Sequence, residues 1–375
     1  MRKPLLIVFG GISPEHEVSV VTGLQTFEKV DITRYDPLAL FIDKQGSIHA
    51  LPSLTSRHQF FITQKTSVTF GRDDRGGFIS FGGMIQKKIY PHAAYLCLHG
   101  GMGEGCGIQV LLESVGITFT SSGVEGSVIA MNKALTKEVL RSSEVPVLPF
   151  VRLFSNEVRQ DLPRILAQVS HLLSFPVIVK PAHLGSSIGI TVAKSTDDLE
   201  RSLLEASFID TEILIEPFLT SITEFNCAVK CIEDQVITSP IERPIPHDDI
   251  LSFADKYERG GKKSGMASLT REVPAKISTK ESTLIADIAR RAFIACRLKG
   301  MARIDFMQDA DGALFLTEVN SIPGSMAFYL WEAAGLAFQE QITELVEQAV
   351  RDATGDVSRR MDYETDIITH FVQGS

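Results

Sequence analysis

An α/β domain built on a parallel sheet, followed by α+β units, is the fold class this sequence predicts, and three observations predict it. A strand-like apolar run, a glycine turn and a helix follow one another twice, over residues 5–27 and again over 93–115. That order presents backbone N–H groups and a helix N-terminus to an anion. After Ser121-Ser122-Gly123 the texture changes to closely spaced helices and strands, an α+β pattern. Further on, two runs of alternating apolar and polar residues, 302–307 and 313–319, flank Asp309-Ala310-Asp311-Gly312 and read as an antiparallel hairpin.

Residues 5–9 form an apolar strand, Gly10-Gly11 turns the chain, and a helix runs over about 17–27. Residues 45–90 are polar, glycine-bearing and rich in β-branched types, hence strands and loops. The apolar run 93–98, the loop His99-Gly100-Gly101-Met102-Gly103-Glu104-Gly105 and a helix over about 108–115 repeat the opening device. Beyond them the patterning predicts helices at 132–142, 158–173 and 196–206, with strands at 147–154, 177–180 and 189–193. Strands at 212–218, 224–232 and 236–241 begin an antiparallel sheet. Residues 243–266 are polar, rich in lysine and glycine and poor in apolar anchors, which reads as a lid loop. Helices at 280–298 and 338–353 bracket the hairpin. The expected division is 1–121, 122–216 and 217–361, with 362–375 a weakly held tail. No internal repeat or low-complexity segment is visible.

At 375 residues the chain exceeds one core and suits two or three domains. Apolar residues at 44% and charged ones at 22% describe an ordinary globular protein. A net charge of −9 with no clustered basic face argues against nucleic acid as a partner. The longest apolar runs fall far short of a membrane span. Met1-Arg2-Lys3 before an apolar run imitates a signal peptide, but Gly10-Gly11 interrupts it at strand length, so a cytoplasmic location is expected. Five cysteines form no CxxC and are odd in number, which excludes a complete disulfide framework. Cys106 lies in the glycine loop with no base at a suggestive spacing, so a small loop residue is expected there.

The hairpin carries the clearest chemistry. Arg303-Ile304-Asp305-Phe306 on one strand and Glu318-Val319-Asn320 on the other bring Asp305, Glu318 and Asn320 to one face. Strand interiors are poor in these residue types. Three hard oxygen ligands beside an arginine describe a site for Mg²⁺ bridging phosphates. Lys133 opens a helix, Lys180 ends an apolar strand, and Gly185-Ser186-Ser187-Ile188-Gly189 follows. A nucleoside triphosphate needs such cations over its phosphates and a small-residue loop whose N–H groups close on them. Taken alone, that loop is only a turn. Glu216-Pro217-Phe218-Leu219 ends another strand, where an adenine ring fits against Phe218 and Leu219 and ribose hydroxyls near Glu224.

In that order and spacing, over roughly residues 125–325, these parts resemble the ATP-grasp superfamily. Gly10-Gly11-Ile12-Ser13-Pro14-Glu15-His16-Glu17-Val18-Ser19 resembles the GGxSxExxVS signature of the D-alanine:D-alanine ligases. His99-Gly100 with Gly103-Glu104, Lys180-Pro181 with Gly185-Ser186-Ser187, Lys256-Tyr257, Arg303-Ile304-Asp305 and Asn320-Ser321-Ile322-Pro323-Gly324 extend the likeness over nearly the whole chain. The resemblance implies a three-domain ATP-grasp architecture, peptidoglycan precursor synthesis in the cytoplasm, a homodimer, and ATP with two Mg²⁺ ions for which Mn²⁺ can substitute.

It also implies roles. ATP would phosphorylate the carboxylate of one D-alanine, and the amine of a second would attack the acyl phosphate. Glu15 would hold the first ammonium, with His99 near its carboxylate. Lys133, Lys180 and Lys256 would neutralise phosphate, and Arg303 and the N–H of Gly324 would stabilise the oxyanion. Asp305, Glu318 and Asn320 would carry Mg²⁺. Ser186 and Tyr257 would link Glu15 to the lid.

Three departures fall on the acceptor side. Glu104-Gly105-Cys106-Gly107 stands where Glu-Asp-Gly is usual, residues 250–255 lack the aromatic and acidic pattern before Lys-Tyr, and Ser325-Met326 follows Gly324 without the four residues normally inserted. Ser325 and Met326 are the candidates for the second carboxylate. The alternatives are the same chemistry with D-lactate, D-serine or another amino acid as acceptor, and a nucleotide-binding regulator without catalysis. Tyr257 favours an amine, because depsipeptide-forming members tend to lack it.

Overall fold

The computed structural model describes residues 2–82, 86–245, 271–356 and 365–373. A seven-stranded sheet organises the N-terminal part, in the order Lys87–Ile89, Gly76–Phe81, Thr66–Asp73, Ile48–Leu51, Tyr35–Ile42, Lys3–Gly10, Ala93–Leu96. Lys3–Gly10 pairs in parallel with both Tyr35–Ile42 and Ala93–Leu96, and the remaining pairs are antiparallel. The sheet is therefore parallel at one end, where Tyr35–Ile42, Lys3–Gly10 and Ala93–Leu96 stand together, and antiparallel over residues 45–90. Leu5 through Phe9 are completely buried, which is why this strand reads as an unbroken apolar run rather than an alternating one.

Two antiparallel four-stranded sheets follow. The first runs Thr191–Ala193, Val177–Pro181, Glu212–Pro217, Val151–Phe154, and the second Gln235–Thr238, Thr223–Ile232, Met301–Gln308, Leu314–Asn320. The short strands Arg243–Pro244 and Arg271–Glu272 pair with each other. Residues 246–270, nearly all of the expected lid with Lys256 and Tyr257, lie outside the described residues.

Among the described residues, helices depart from expectation in several places, the short helices Gly101–Glu104 and Phe328–Glu332 among them. Val124–Met131 is an unforeseen helix. The helix expected over 158–173 is two, Ser155–Gln160 and Leu162–Leu172, because Asp161 caps the second through the Arg164 N–H and proline stands in its first turn. Residues Ile367–Gln373, read as tail, are helical, with Ile367, Ile368, Phe371 and Val372 exposed.

Three apolar cores form among the described residues. The N-terminal core takes in Ile322, Met326, Trp331, Ile342 and Leu345, so the segment after the hairpin packs on the first sheet. Glu347, on the helix Phe338–Asp356, fixes this union, accepting from the Tyr35 hydroxyl at 2.6 Å and from Lys3 at 3.1 Å.

Candidate active site

The hairpin Met301–Gln308 and Leu314–Asn320 places Asp305 directly opposite Glu318 and Arg303 opposite Asn320. Arg303 grips Asp305 with two parallel hydrogen bonds of 2.7 Å, and Asn320 Nδ2 donates to Asp305 Oδ2 at 3.0 Å. With its nitrogen so engaged, the Asn320 amide oxygen is left to accept or ligate. Two carboxylates and an amide oxygen are the hard donors Mg²⁺ takes alongside water and phosphate. The charge of the pair is met by Arg303 and by Lys133, which lies 3.1 Å from Glu318.

Lys133 sits at the first position of the helix Lys133–Ser142, whose Asn132 cap accepts from the Leu135 N–H. Its ammonium also donates to the Leu184 carbonyl at 2.6 Å, tying the hairpin carboxylates to the Gly185-Ser186-Ser187 loop. Ser186 and Ser187 have left-handed φ values of 52° and 60°, which folds this loop tightly back. On the adjoining sheet, Glu216 is buried between Lys180 at 2.7 Å and Lys137 at 2.6 Å. Burial opposes ionisation of Glu216, and the two ammonium groups outweigh it, holding the carboxyl below its ordinary range. Glu216 was expected to bind ATP; with one lysine on each oxygen, its side chain positions Lys180. Phe218 and Leu219 follow this strand half-buried, and Glu224 opens Thr223–Ile232 opposite Met307.

Glu15 reaches this site from the N-terminal domain. It stands at the N-terminal boundary of the helix His16–Lys29 without a side-chain capping hydrogen bond, and Ser13 Oγ accepts its N–H at 3.0 Å. Ser186 Oγ donates to Glu15 Oε1, joining two expected site residues far apart in sequence. Glycines stand on both sides of the carboxylate, and Gly100 holds a left-handed φ of 61°. A Cβ on Gly100 would stand 2.6 Å from Glu15 Oε2, and one on Gly185 would stand 2.9 Å from it.

His99 takes a different place from the one expected. It is buried, its Nδ1–H donates to the Ile322 carbonyl at 3.0 Å, and its Nε2 accepts from Thr22 Oγ1 at 3.0 Å. With both nitrogens engaged it braces the segment before Gly324 and has no nitrogen left for a substrate carboxylate. Burial pushes its pKa down to about 4. Because the folded value lies below the unfolded one, this histidine stabilises the fold above about pH 6.5. That contribution is lost as pH falls, by about 3 kcal/mol at pH 4. Unfolding free energy should therefore decline between pH 6.5 and 4 in denaturant titrations, with a flatter decline in His99→Gln; an equal slope in the two proteins would contradict the assignment.

Ser325 and Met326 lie in a tight turn, Ser325 half-buried and Met326 buried. With Ala327 they hold left-handed φ values of 50°, 53° and 44°. The Met326 N–H donates to the Pro323 carbonyl, its carbonyl accepts from Gln341 Nε2, and its side chain is buried in the N-terminal core. The shortness of the turn after Gly324 draws Met326 inward, so it cannot receive an acceptor carboxylate. Cys106 behaves as a loop residue, its thiol pushed up chiefly by burial.

With this geometry, known proteins can be compared. Family models described as "D-ala D-ala ligase N-terminus" and "D-ala D-ala ligase C-terminus" match residues 4–122 and 139–347. The chain belongs to the D-alanine–D-alanine ligase family. Relatives named D-alanine–D-alanine ligase include that of Deinococcus radiodurans, 34% identical over 94% of this chain and 100% of its own length. That of Thermosipho africanus is 30% identical over 92% of each. The structure of the D-alanine-D-alanine ligase from Coxiella burnetii superposes with a TM-score of 0.78 at 23% identity, covering 100% of this chain and 99% of its own. The VanG D-Ala:D-Ser ligase from Enterococcus faecalis superposes at 0.77 and 21%, covering 93% and 100%. These neighbours have the ATP-grasp fold, which the chain shares.

Within this ligase-family site, sequence reasoning missed Lys137 and Glu104 as working residues. Lys137 lies one turn beyond Lys133, a spacing that puts both on one helix face. Glu104 accepts from the Gly100 N–H at 3.0 Å and from the Ile322 N–H at 3.4 Å, knitting the glycine loop to the hairpin exit. Burial first, then the nearby Glu15, raise its carboxyl to about 7.

Proposed function

We propose that this chain joins two D-alanines into D-alanyl-D-alanine at the expense of ATP, through an acyl phosphate, for peptidoglycan precursors. The supporting observation is the Ser186–Glu15 hydrogen bond, which sets an amino-acid-binding carboxylate beside the phosphate loop. Glu15 receives the ammonium of the first D-alanine. Lys133 and Lys180 neutralise the phosphates while the γ-phosphoryl group passes to the D-alanine carboxylate, giving acyl phosphate and ADP. The amine of the second D-alanine attacks the carbonyl carbon, Arg303 and the Gly324 N–H hold the oxyanion, and phosphate departs as the new amide loses a proton. Asp305, Glu318 and Asn320 would hold Mg²⁺, two ions with Mn²⁺ able to substitute, and the metal would supply charge neutralisation at the β- and γ-phosphates. Lys256 and Tyr257 would close over the substrates.

The three-domain division serves this reading, with Glu15 from the first domain, the lysines and serine loop from the second and the hairpin from the third. A homodimer and a cytoplasmic location belong to the same proposal. Among the described residues, no helix is long and apolar enough to cross a membrane.

Ser186→Ala removes a hydrogen bond to a charged group, so the first D-alanine should bind about tenfold more weakly. Separate KM values for the two D-alanine sites would show it, and an unchanged donor KM would remove Ser186 from this role. The function itself is tested by ADP release and product mass with D-alanine, D-serine, D-lactate and L-amino acids. D-Alanine-dependent ADP with a dipeptide product supports ligation. A different favoured acceptor transfers the assignment to that acceptor, a reading the inward turn of Met326 keeps open. Nucleotide binding without turnover would leave a regulator.

A further inference from the structure

The metal pair belongs to a longer row. Glu242 is bridged to Asn226, Asn226 faces Asp305, and Asp305 faces Glu318, so four polar residues stand side by side across neighbouring strands. Residues in such register point to the same side of a sheet, and strands lie about 4.8 Å apart. Glu242 is thus about 10 Å from Asp305 along the face that carries the chemistry.

Glu242 is almost fully buried and heavily bonded. Asn226 Nδ2 donates to its Oε2 at 3.0 Å, the Tyr329 hydroxyl donates to the same oxygen at 2.8 Å, and Arg271 lies 3.3 Å from its Oε1. The Arg271 guanidinium also lies 4.3 Å from the centre of the Tyr329 ring. Glu242 and Tyr329 are near enough for their charges to act on Arg303. What brings Tyr329 here is the tight left-handed turn of Ser325, Met326 and Ala327, which starts the helix Phe328–Glu332 immediately after Gly324.

A guanidinium has five N–H donors in a planar fork, and one carboxylate does not use them all. Glu242 and the Tyr329 ring fix the plane of Arg271 and leave it matched to a second planar anion, the geometry of carboxylate recognition. An acceptor amino acid brings one such anion, joined by a single carbon to the amine that must reach the acyl group beside Arg303.

Resting on the ligation reading, we infer that Arg271, held by Glu242 and Tyr329, receives the carboxylate of the acceptor amino acid. This function passes to Arg271 because Met326 is drawn into the core. Tyr329 and Glu242 are positioning residues that act through Arg271.

The test uses the full-length protein with ATP, Mg²⁺, D-alanine as donor, and an equimolar mixture of D-alanine and D-alaninamide as acceptors. Dipeptide and dipeptide amide are resolved by mass. Their ratio is internal to each reaction, so it does not depend on folded fraction, donor affinity or ATP affinity. The wild type should favour D-alanine about 10- to 100-fold, the value of a charged hydrogen-bonded pair. Arg271→Ala should bring the ratio near one by slowing dipeptide formation and sparing the amide, while Arg271→Lys, which keeps the charge without the fork, should fall between. A ratio unchanged in Arg271→Ala would overturn the inference. If that variant yields no product, an unchanged ratio in Arg271→Lys would overturn it, as would a wild-type ratio near one. A wild type that makes neither product would overturn the ligation reading, and this inference with it.

Discussion

Glu318→Gln is expected to lower turnover by about a hundred- to a thousandfold while leaving the protein folded. Glu318 faces Asp305 across the hairpin and lies 3.1 Å from Lys133, so under the proposed reading its charge serves both a metal and the lysine that reaches the Gly185-Ser186-Ser187 loop. Glutamine keeps the shape and loses that charge. The side chain is about a third exposed, so the structural cost should not exceed about 1 kcal/mol. Asp305→Asn should be at least as damaging, because Arg303 then loses its two-bonded partner and can swing away from the oxyanion that the proposed mechanism gives it to stabilise. Steady-state turnover at saturating ATP and Mg²⁺, beside thermal unfolding of the same preparations, separates the two effects. Turnover within a few-fold of the wild type in either variant would mean that these carboxylates do not carry the metal.

The hairpin was legible because its signal is local. Alternation gave the strands, Asp309 to Gly312 gave the turn, and acids within strands marked the site. Asp305, Glu318 and Asn320 are indeed neighbours on one face. The likeness of the Glu15 segment also foretold its contact with Ser186, which geometry alone could not have suggested across so many intervening residues.

What was missed depends on other elements. Val124–Met131 carries Glu125, Gly126 and Ser127 in its first turn, then only apolar residues, and begins at Gly123 without a side-chain cap, so neither periodicity nor a start signal marks it. Asp161 and Pro163 did carry a helix start, hidden inside what reads as one amphipathic run. His99 could be placed as near the substrate by analogy, but its engagement by Thr22 and Ile322 comes from two distant segments. The row through Asn226 to Glu242 is a fact of strand register, and register between distant strands is not written in either strand alone.

The same dependence governs Glu216, whose replacement should have the largest effect on stability. Its side chain is 1% exposed between Lys137 at 2% and Lys180 at 13%. Removing one charge from a buried set leaves the others uncompensated, which costs about 3–5 kcal/mol. Glu216→Gln turns an amide N–H₂ toward one of the two ammonium groups, so both penalties fall together. Lys137→Met should cost much less, since burial already disfavours the Lys137 ammonium and Glu216 keeps Lys180. The pH dependence supplies an independent check. The folded Glu216 carboxyl lies below its ordinary range, so the stability it contributes is present above about pH 4.3 and disappears as pH falls through the lower folded value. Unfolding free energies of wild type and Glu216→Gln, measured in denaturant from pH 7 to 3, should therefore differ most near neutrality and converge below pH 4. This window lies under the one assigned to His99, which keeps the two contributions separable. A constant difference across the range would show that the Glu216 charge is not what holds the two lysines in place.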